Sequence, residues 1–396
     1  MNEPEDTLVI LDNDELMNAV RLLLLLGRTD FTADERQQIT DEFERYSSWN
    51  LFVSLAVRHG VAALVWQNVS DLGLAHRVPE AERTMLEGLR FKSIARVTWI
   101  TEAAAAVCGL LEREGIRVVA LKGLALEHTV YGSRGLRQMS DADLLVAPAD
   151  ALRARDILIR DGFRSMSLKS PLYRHIILDL GNHLPELHRG GISVDLHYRL
   201  FGPEGEEMVE RAIRDSVIIT GVDREPDRTA AVTRDSEDGV GVSSGTDAAV
   251  NSGTGTPGGA LSTGTPGAGT FRILPPMTAF LALVNHIYKH EIKGEFQLRL
   301  WTDIYLLLVR YGKQILTSGL ADAAEEAGIR KETVAVLTVM KQVWGVVLPE
   351  GMAVSSDAEN AVVALFMNRL AHPESVGSIT QREMFMKNLR ALKSPL

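Results

Sequence analysis

The apolar residues of this chain change their spacing twice, which rules out a uniformly helical or uniformly β fold. From about Asp14 to Gly115 they recur at helical intervals. "DELMNAVRLLLLLG" has an acidic start and a glycine stop. "TADERQQITDEFERYSSWNLFVSLAVRHG" opens on Thr32 with acids in its first turn, the cap and charge chemistry of a helix N-terminus. "PEAERTMLEGLRFKSIARVTWITEAAAAVCGLLEREG" reads as one long helix, or as two separated by a bend. Then short β-branched runs take over. "IRVVALKG" is a strand, "LALEHTVYG" returns to helical spacing, and "ADLLVA" is a strand ended by Pro148. "DALRARDILIRDG" is a helix capped by Asp150 and stopped by Gly162. "HLPELHRGGISVDLHYRL" is two strands around Gly190-Gly191, a two-residue hairpin signal. After "FRIL" the spacing is helical again, from "PPMTAFLALVNHIYKHE" through "QLRLWTDIYLLLVRYG" and "RKETVAVLTVMKQVWG".

Between the last two regimes, from about Asp223 to Gly269, the chain is mostly Gly, Ser, Thr, Asp and Pro. Such a stretch cannot bury enough apolar surface to offset the entropy of ordering. It reads as a flexible linker or insertion; a lid or partner-binding loop is the functional alternative. The expected organisation is therefore an N-terminal helical region (1–99), an α/β part with mixed pairing (100–221), the linker (222–270) and a C-terminal helical domain (271–396). In class terms this is α+β, a small mixed sheet flanked by helical regions.

A chain of 396 residues, 45% hydrophobic and 24% charged, can build a sizeable core. Its formal charge of -10 argues against broad binding of nucleic acid through phosphates, but leaves room for a local basic pocket. The one cysteine, Cys108, excludes an intrachain disulfide and a Cys-based zinc site, and it sits in an apolar helical stretch as a small core residue. The acidic N-terminus lacks the basic start of a signal peptide, and Leu22–Leu26 is far too short to span a bilayer. The expectation is a soluble cytoplasmic protein without a membrane partner.

The chemistry concentrates at "MSDADLLV". Strand side chains alternate faces, so Asp141 and Asp143 point the same way. Two close carboxylates repel unless a proton or a cation compensates. A hard divalent cation held by one or two carboxylates and substrate phosphates does this well. The plain alternative is a solvated turn. Just upstream, Lys122-Gly123 ends a strand and opens a helix, where backbone N–H groups and the helix dipole favour an anion. Lys122 can neutralise phosphate as a point charge, and Arg134 and Arg137 follow in a Gly-rich loop. Otherwise the pair is simply a strand-to-helix turn and the arginines are surface charges.

Asp195 is an isolated acid in an alternating strand. If Gly190-Gly191 are the turn, Arg189 pairs with Ile192, His188 with Ser193 and Glu186 with Asp195. Glu186, His188, Ser193, Asp195 and His197 then share one face, which is either solvent-exposed or a site. Beside Asp141 and Asp143, Asp195 completes three carboxylates, the minimum for holding two metals and activating an acceptor hydroxyl. His286 and His290 lie one helical turn apart. They read as helix packing, as rim residues of a site, or as an incomplete metal pair. Lys289, Lys293 and Asp303 are lesser candidates, and Trp301 reads as core.

"ALKGLALEHTVYGSRGLRQMSDADLLV", then "GFR", "VDLHYRL" and "LALVNHIYKH…LRLWTDIYLLL", together resemble the uncharacterised bacterial nucleotidyltransferases of the polymerase-β-like superfamily. The likeness runs from about Trp49 to Leu308, apart from the linker. It implies a nucleotidyltransferase core, metal ligands at Asp141, Asp143 and Asp195, and phosphate contact near Lys122 and Gly123 with Arg137 close by. Lys122-Gly123 stands where many relatives of that superfamily carry Gly-Ser.

The expected reaction moves a nucleoside monophosphate from an NTP, ATP by default of abundance, to an acceptor hydroxyl, with Mg²⁺ or Mn²⁺ and release of pyrophosphate. The acceptor is a small molecule, peptide or protein; the acidic charge argues against nucleic acid. The rival readings are an inactive nucleotide-binding or scaffold protein and a toxin that modifies tRNA or a protein.

Overall fold

The computed structural model describes residues 13–165, 178, 181–202, 206–220, 270–349, 351–352 and 355–373. The linker reading for 222–270 lies outside the described residues, except for Thr270.

Four short-to-medium helices come first: α1 (Asn13–Leu26), α2 (Ala33–Arg45), α3 (Trp49–Arg58) and α4 (Ala62–Asp71). Thr32 caps α2 as its sequence demands. Its Oγ1 accepts the Glu35 N–H at 3.3 Å, while Glu35 Oε2 accepts the Thr32 N–H at 2.8 Å. The long apolar segment forms a single helix, α5 (Glu80–Arg113), so the expected boundary at 99/100 falls inside it. By length and composition α5 is the one described helix able to cross a membrane. Here it packs against α3, α4 and three strands of the sheet.

The α/β part follows: β1 (Val119–Ala120), α6 (Lys122–Thr129), β2 (Ala142–Leu145), α7 (Ala151–Arg160), β3 (Arg164–Ser165), β4 (Leu187–Arg189) and β5 (Ile192–His197). Next come α8 (Glu206–Arg214), β6 (Val217–Thr220) and β7 (Thr270–Ile273). The strands form one mixed sheet in the order β3-β4-β5-β2-β1-β7-β6. β7 was expected to belong with the C-terminal helices. Instead it pairs with β1 in parallel and with β6 antiparallel, so the sheet draws on both sides of the linker. Alternation explains this: Phe271 and Ile273 are buried while Arg272 reaches Glu112.

Five helices complete the described chain: α9 (Pro276–Ile292), α10 (Leu298–Ile315), α11 (Leu320–Glu326), α12 (Arg330–Trp344) and α13 (Ser356–Ala371). They do not stand apart from the N-terminal helices. Leu23, Phe52 and Val65 share one apolar core with Phe280, Ile304 and Leu370. His59 ties the two sets together. Its Nδ1 accepts the Leu298 N–H at 3.3 Å and its Nε2 lies 2.9 Å from the Leu370 carbonyl. Burial pushes the ring's pKa down to about 4, and a neutral ring is what accepting at Nδ1 requires.

A second core lies on one face of the sheet. Ala142, Leu144, Val194 and Leu196 meet Val107 and Cys108 of α5 and Leu158 of α7 there. The intervening residues of β2 and β5 therefore face the other way, toward α9. That second face carries the polar groups.

Candidate active site

β2 and β5 are parallel, with Asp143 directly opposite Asp195 and Leu145 opposite His197. Paired residues in a sheet leave the same face, so the two carboxylates become lateral neighbours without any loop having to place them. The hairpin sets the register of β5. Gly190 and Gly191 have φ of 56° and 80°, the left-handed pair that a tight two-residue turn needs. Arg189 pairs with Ile192 and His188 with Ser193, as the sequence implies. The ladder ends at Leu187 opposite Val194; Glu186 and His188 are exposed and contact each other at 3.5 Å.

Asp143 is buried and highly connected. Its Oδ1 accepts from Lys122 Nζ at 2.5 Å and lies 2.8 Å from His197 Nε2. Burial alone would raise its pKa, but the Lys122 charge and the His197 contact outweigh it and hold the carboxyl well below the usual range. Asp195 is the opposite case. Its Oδ1 is buried and has no hydrogen-bond partner. Burial, then the charges of Asp143 and Asp141, push it up to about 7. Burial and the Asp143 charge also raise Asp141, whose Oδ1 accepts from Ser140 Oγ at 2.9 Å. Burial and then Lys122 lower His197 to about 4.

This donor set fits a hard divalent cation. One ligand atom each from Asp143, Asp195 and His197 lies within 4.8 Å of the others. The orphaned Asp195 oxygen and the mutual repulsion of the acids both call for positive charge. Asp141 is adjacent and lines the same cavity as Asp195 and His197. His286 and His290 stack edge-on at 4.4 Å and line that cavity too, but no third ligand joins them among the described residues.

The residues expected to grip phosphate are arranged differently from a simple cradle. Lys122 lines the cavity while its ammonium rests on Asp143, and its backbone has φ of 44°, unusual for a lysine. Gly123 is filled from within: a Cβ there would come within 2.6 Å of Arg137 Nη1 and 2.9 Å of Met139 Sδ. Arg137 is buried and forks onto Asp303, at 3.2 Å from Nε and 2.7 Å from Nη2. Asp303 also accepts from Tyr131 Oη at 2.9 Å. Glu127 accepts the Gly135 and Arg137 N–H groups at 2.5 and 3.0 Å. Together these bonds brace the loop that delivers Asp141 and Asp143. Arg134 is exposed, with Nε on the Tyr131 carbonyl at 3.2 Å.

The cavity in front of the acids has a volume of about 430 Å³. Sequence reasoning missed Asn182 and His183, which reach it from the segment before β4, and it missed the apolar half contributed by β6, β7, α9 and α10. One signal was available. Along α9 and its C-cap, Ala279, Leu283, His286 and Lys293 continue a single helical face that turns from apolar to basic.

Paired carboxylates on adjacent strands stand beside a pocket that Lys122, Lys289 and Lys293 also line. Residues 46–222 match the model of a family described as uncharacterised nucleotidyltransferase, which places this region of the chain among nucleotidyltransferases. The match takes in Lys122, Asp141, Asp143, Asp195 and His197, whereas β7 and α9–α13 lie outside it. No curated protein and no solved structure matches the chain.

Proposed function

We propose that the chain transfers a nucleoside monophosphate from a nucleoside triphosphate, ATP in the first instance, to a hydroxyl on a small molecule, peptide or protein. The observation that carries this reading is the in-register pair Asp143 and Asp195, one ion-paired through its Oδ1 and one with an unpartnered oxygen, beside a cavity. Asp143, Asp195 and Asp141 would hold Mg²⁺ or Mn²⁺, with His197 as the fourth candidate. When bound, the ion neutralises phosphate charge and acidifies the acceptor hydroxyl.

The chain's own groups divide the remaining work. Asp195 takes the acceptor proton. The acceptor oxygen bonds to the α-phosphorus, the bond from that phosphorus to the bridging oxygen breaks, and pyrophosphate leaves with the electron pair. Lys122 keeps Asp143 ionised and adds charge at the phosphate side. Lys289 lines the cavity without an ion-pair partner among the described residues. Burial, then Lys122 and Lys293, lower it to about 8. A polyphosphate relieves that repulsion. Arg137 supports the loop through Asp303, and Arg134 stays at the surface. The reading includes a soluble protein acting in the cytoplasm, with α5 packed on α3, α4 and three strands along one side and Phe91 and Trp99 exposed on another.

One contact favours a second reading, a nucleotide-binding protein that performs no transfer. The Lys122 ammonium neutralises Asp143 without an ion. The test is incubation with labelled NTPs, Mg²⁺ and a cell lysate, with Asp143→Asn in parallel. Labelled product that needs Mg²⁺ and Asp143 supports transfer. Metal-independent ATP binding with no labelled product supports the second reading.

A further inference from the structure

The cavity is graded, and the gradient is larger than a triphosphate site needs. Across the sheet it runs from β5, with Asp195 and His197, to β6, with Val217 and Ile219. Four strand spacings separate these ends, about 19 Å. Along α9 the same change occurs over about 25 Å, from Pro276 and Ala279 at the start of the helix to Lys289 and Lys293 at its end. Leu126, Leu274 and Leu307 complete the apolar half. The polar side chains of that half are few, and two of them spend a donor inside the fold. Thr129 Oγ1 donates to the Ala125 carbonyl at 2.8 Å and Asn285 Nδ2 to the Leu200 carbonyl at 2.6 Å. Gln314 is exposed at the rim. Tyr311 sits where α10 leaves helical geometry, with φ of -123°.

A nucleobase has a polar edge with several donors and acceptors, and the few polar groups on these apolar walls leave most of them unpaired. An aliphatic body has no such cost. We propose that the apolar half of the cavity, between β6–β7 and the first turns of α9, is the acceptor subsite and takes a hydroxyl carried on an aliphatic body. The hydroxyl then lies at the Asp195 end, and the nucleotide keeps to the basic end. This rests on the transferase reading for the role of the occupant, but not for its chemistry.

The test uses the full chain and calorimetric titration with butan-1-ol, hexan-1-ol, octan-1-ol and decan-1-ol, and separately with Mg²⁺-ATP. Affinity should rise about fourfold per added methylene until the subsite is full. Ala279→Leu, placed in the lobe, should weaken decan-1-ol at least about tenfold and leave Mg²⁺-ATP binding as it was. Leu283→Ala should move the break in the series to a longer alcohol, which also guards against misfolding of the first variant. A flat chain-length series overturns the proposal. So does loss of ATP rather than alcohol binding in Ala279→Leu, which would make the lobe a nucleobase pocket. If no NTP binds the wild type, the transferase reading falls, and the alcohol series still decides the subsite.

Discussion

Two buried aspartates stand near each other in this fold and behave in opposite ways. Asp303, on α10, is fully enclosed by the Arg137 fork and the Tyr131 hydroxyl. Asp143, on β2, has Lys122 and His197, and beside it lies Asp195 with an oxygen that nothing satisfies. The Asp303 cluster closes on itself and has no capacity left for a ligand. The Asp143 cluster is a charge imbalance facing a cavity. A structural ion pair is complete, whereas a site is incomplete in a specific direction.

The strongest way to break this comparison is Arg137→Ala. Removing one partner of a buried pair strands the other, at a cost of about 3–5 kcal/mol. The melting temperature should fall sharply, while the surviving folded fraction binds ATP with little change. If instead ATP affinity collapses and the melt barely moves, Arg137 is a phosphate ligand and the two clusters are one site.

Asp143→Asn probes the other cluster. The amide keeps the shape but weakens a ligand position, and changes around metal sites that are milder than this already cost about 10–100-fold. Nucleotidyl transfer should drop by at least about a hundredfold with the far-UV circular dichroism unchanged. Near-normal turnover would leave Asp143 as a second structural aspartate.

The contrast between the clusters also marks what could be seen in the residues alone. Asp143 and Asp195 are legible as acids on one face of their strands because a strand has period two and Gly190-Gly191 sets the register of β5, both local rules; Asp141 stands one residue before β2, and the pairing of β2 with β5 is not local. The helices around them are legible for the same reason, down to the Thr32 cap. Arg137 is not legible in this way. A basic residue in a glycine-rich loop looks identical whether it points to a phosphate or to an acid 166 positions away, and its partner is Asp303. β7 is obscured because four residues after a long Gly/Ser/Thr stretch carry too little pattern to be joined to a sheet begun before it. The apolar half of the cavity has no sequence signature, since it is assembled from strands and helices on both sides of that stretch.

A smaller effect sharpens the link between the clusters. Gly123 touches Arg137, and a Cβ there would sit 2.6 Å from Nη1. Gly123→Ala should destabilise by about 1–3 kcal/mol through overpacking. Combined with Arg137→Ala, which vacates the space, it should cost clearly less than the sum of the two changes. Strict additivity in a denaturant-melt cycle would show that the added Cβ is opposed by Met139, 2.9 Å away, and not by Arg137.

The smallest expected effect concerns the charge that lies between the clusters and the apolar lobe. Lys289 has a lowered pKa of about 8, caused first by burial and then by Lys122 and Lys293. A nearby polyphosphate favours its charged form, so binding above that pH must take up a proton. Through this group ATP affinity should weaken as pH rises through 8, by at most about tenfold per pH unit, whereas Asp195, pushed up to about 7, titrates on the acid side of that inflection. Lys289→Met should weaken ATP about fivefold at pH 7, near 1 kcal/mol, and remove the inflection. An unchanged pH profile in the variant would assign the titration to another group and leave Lys289 as a wall residue, with the basic end of the cavity defined by Lys122 and Lys293.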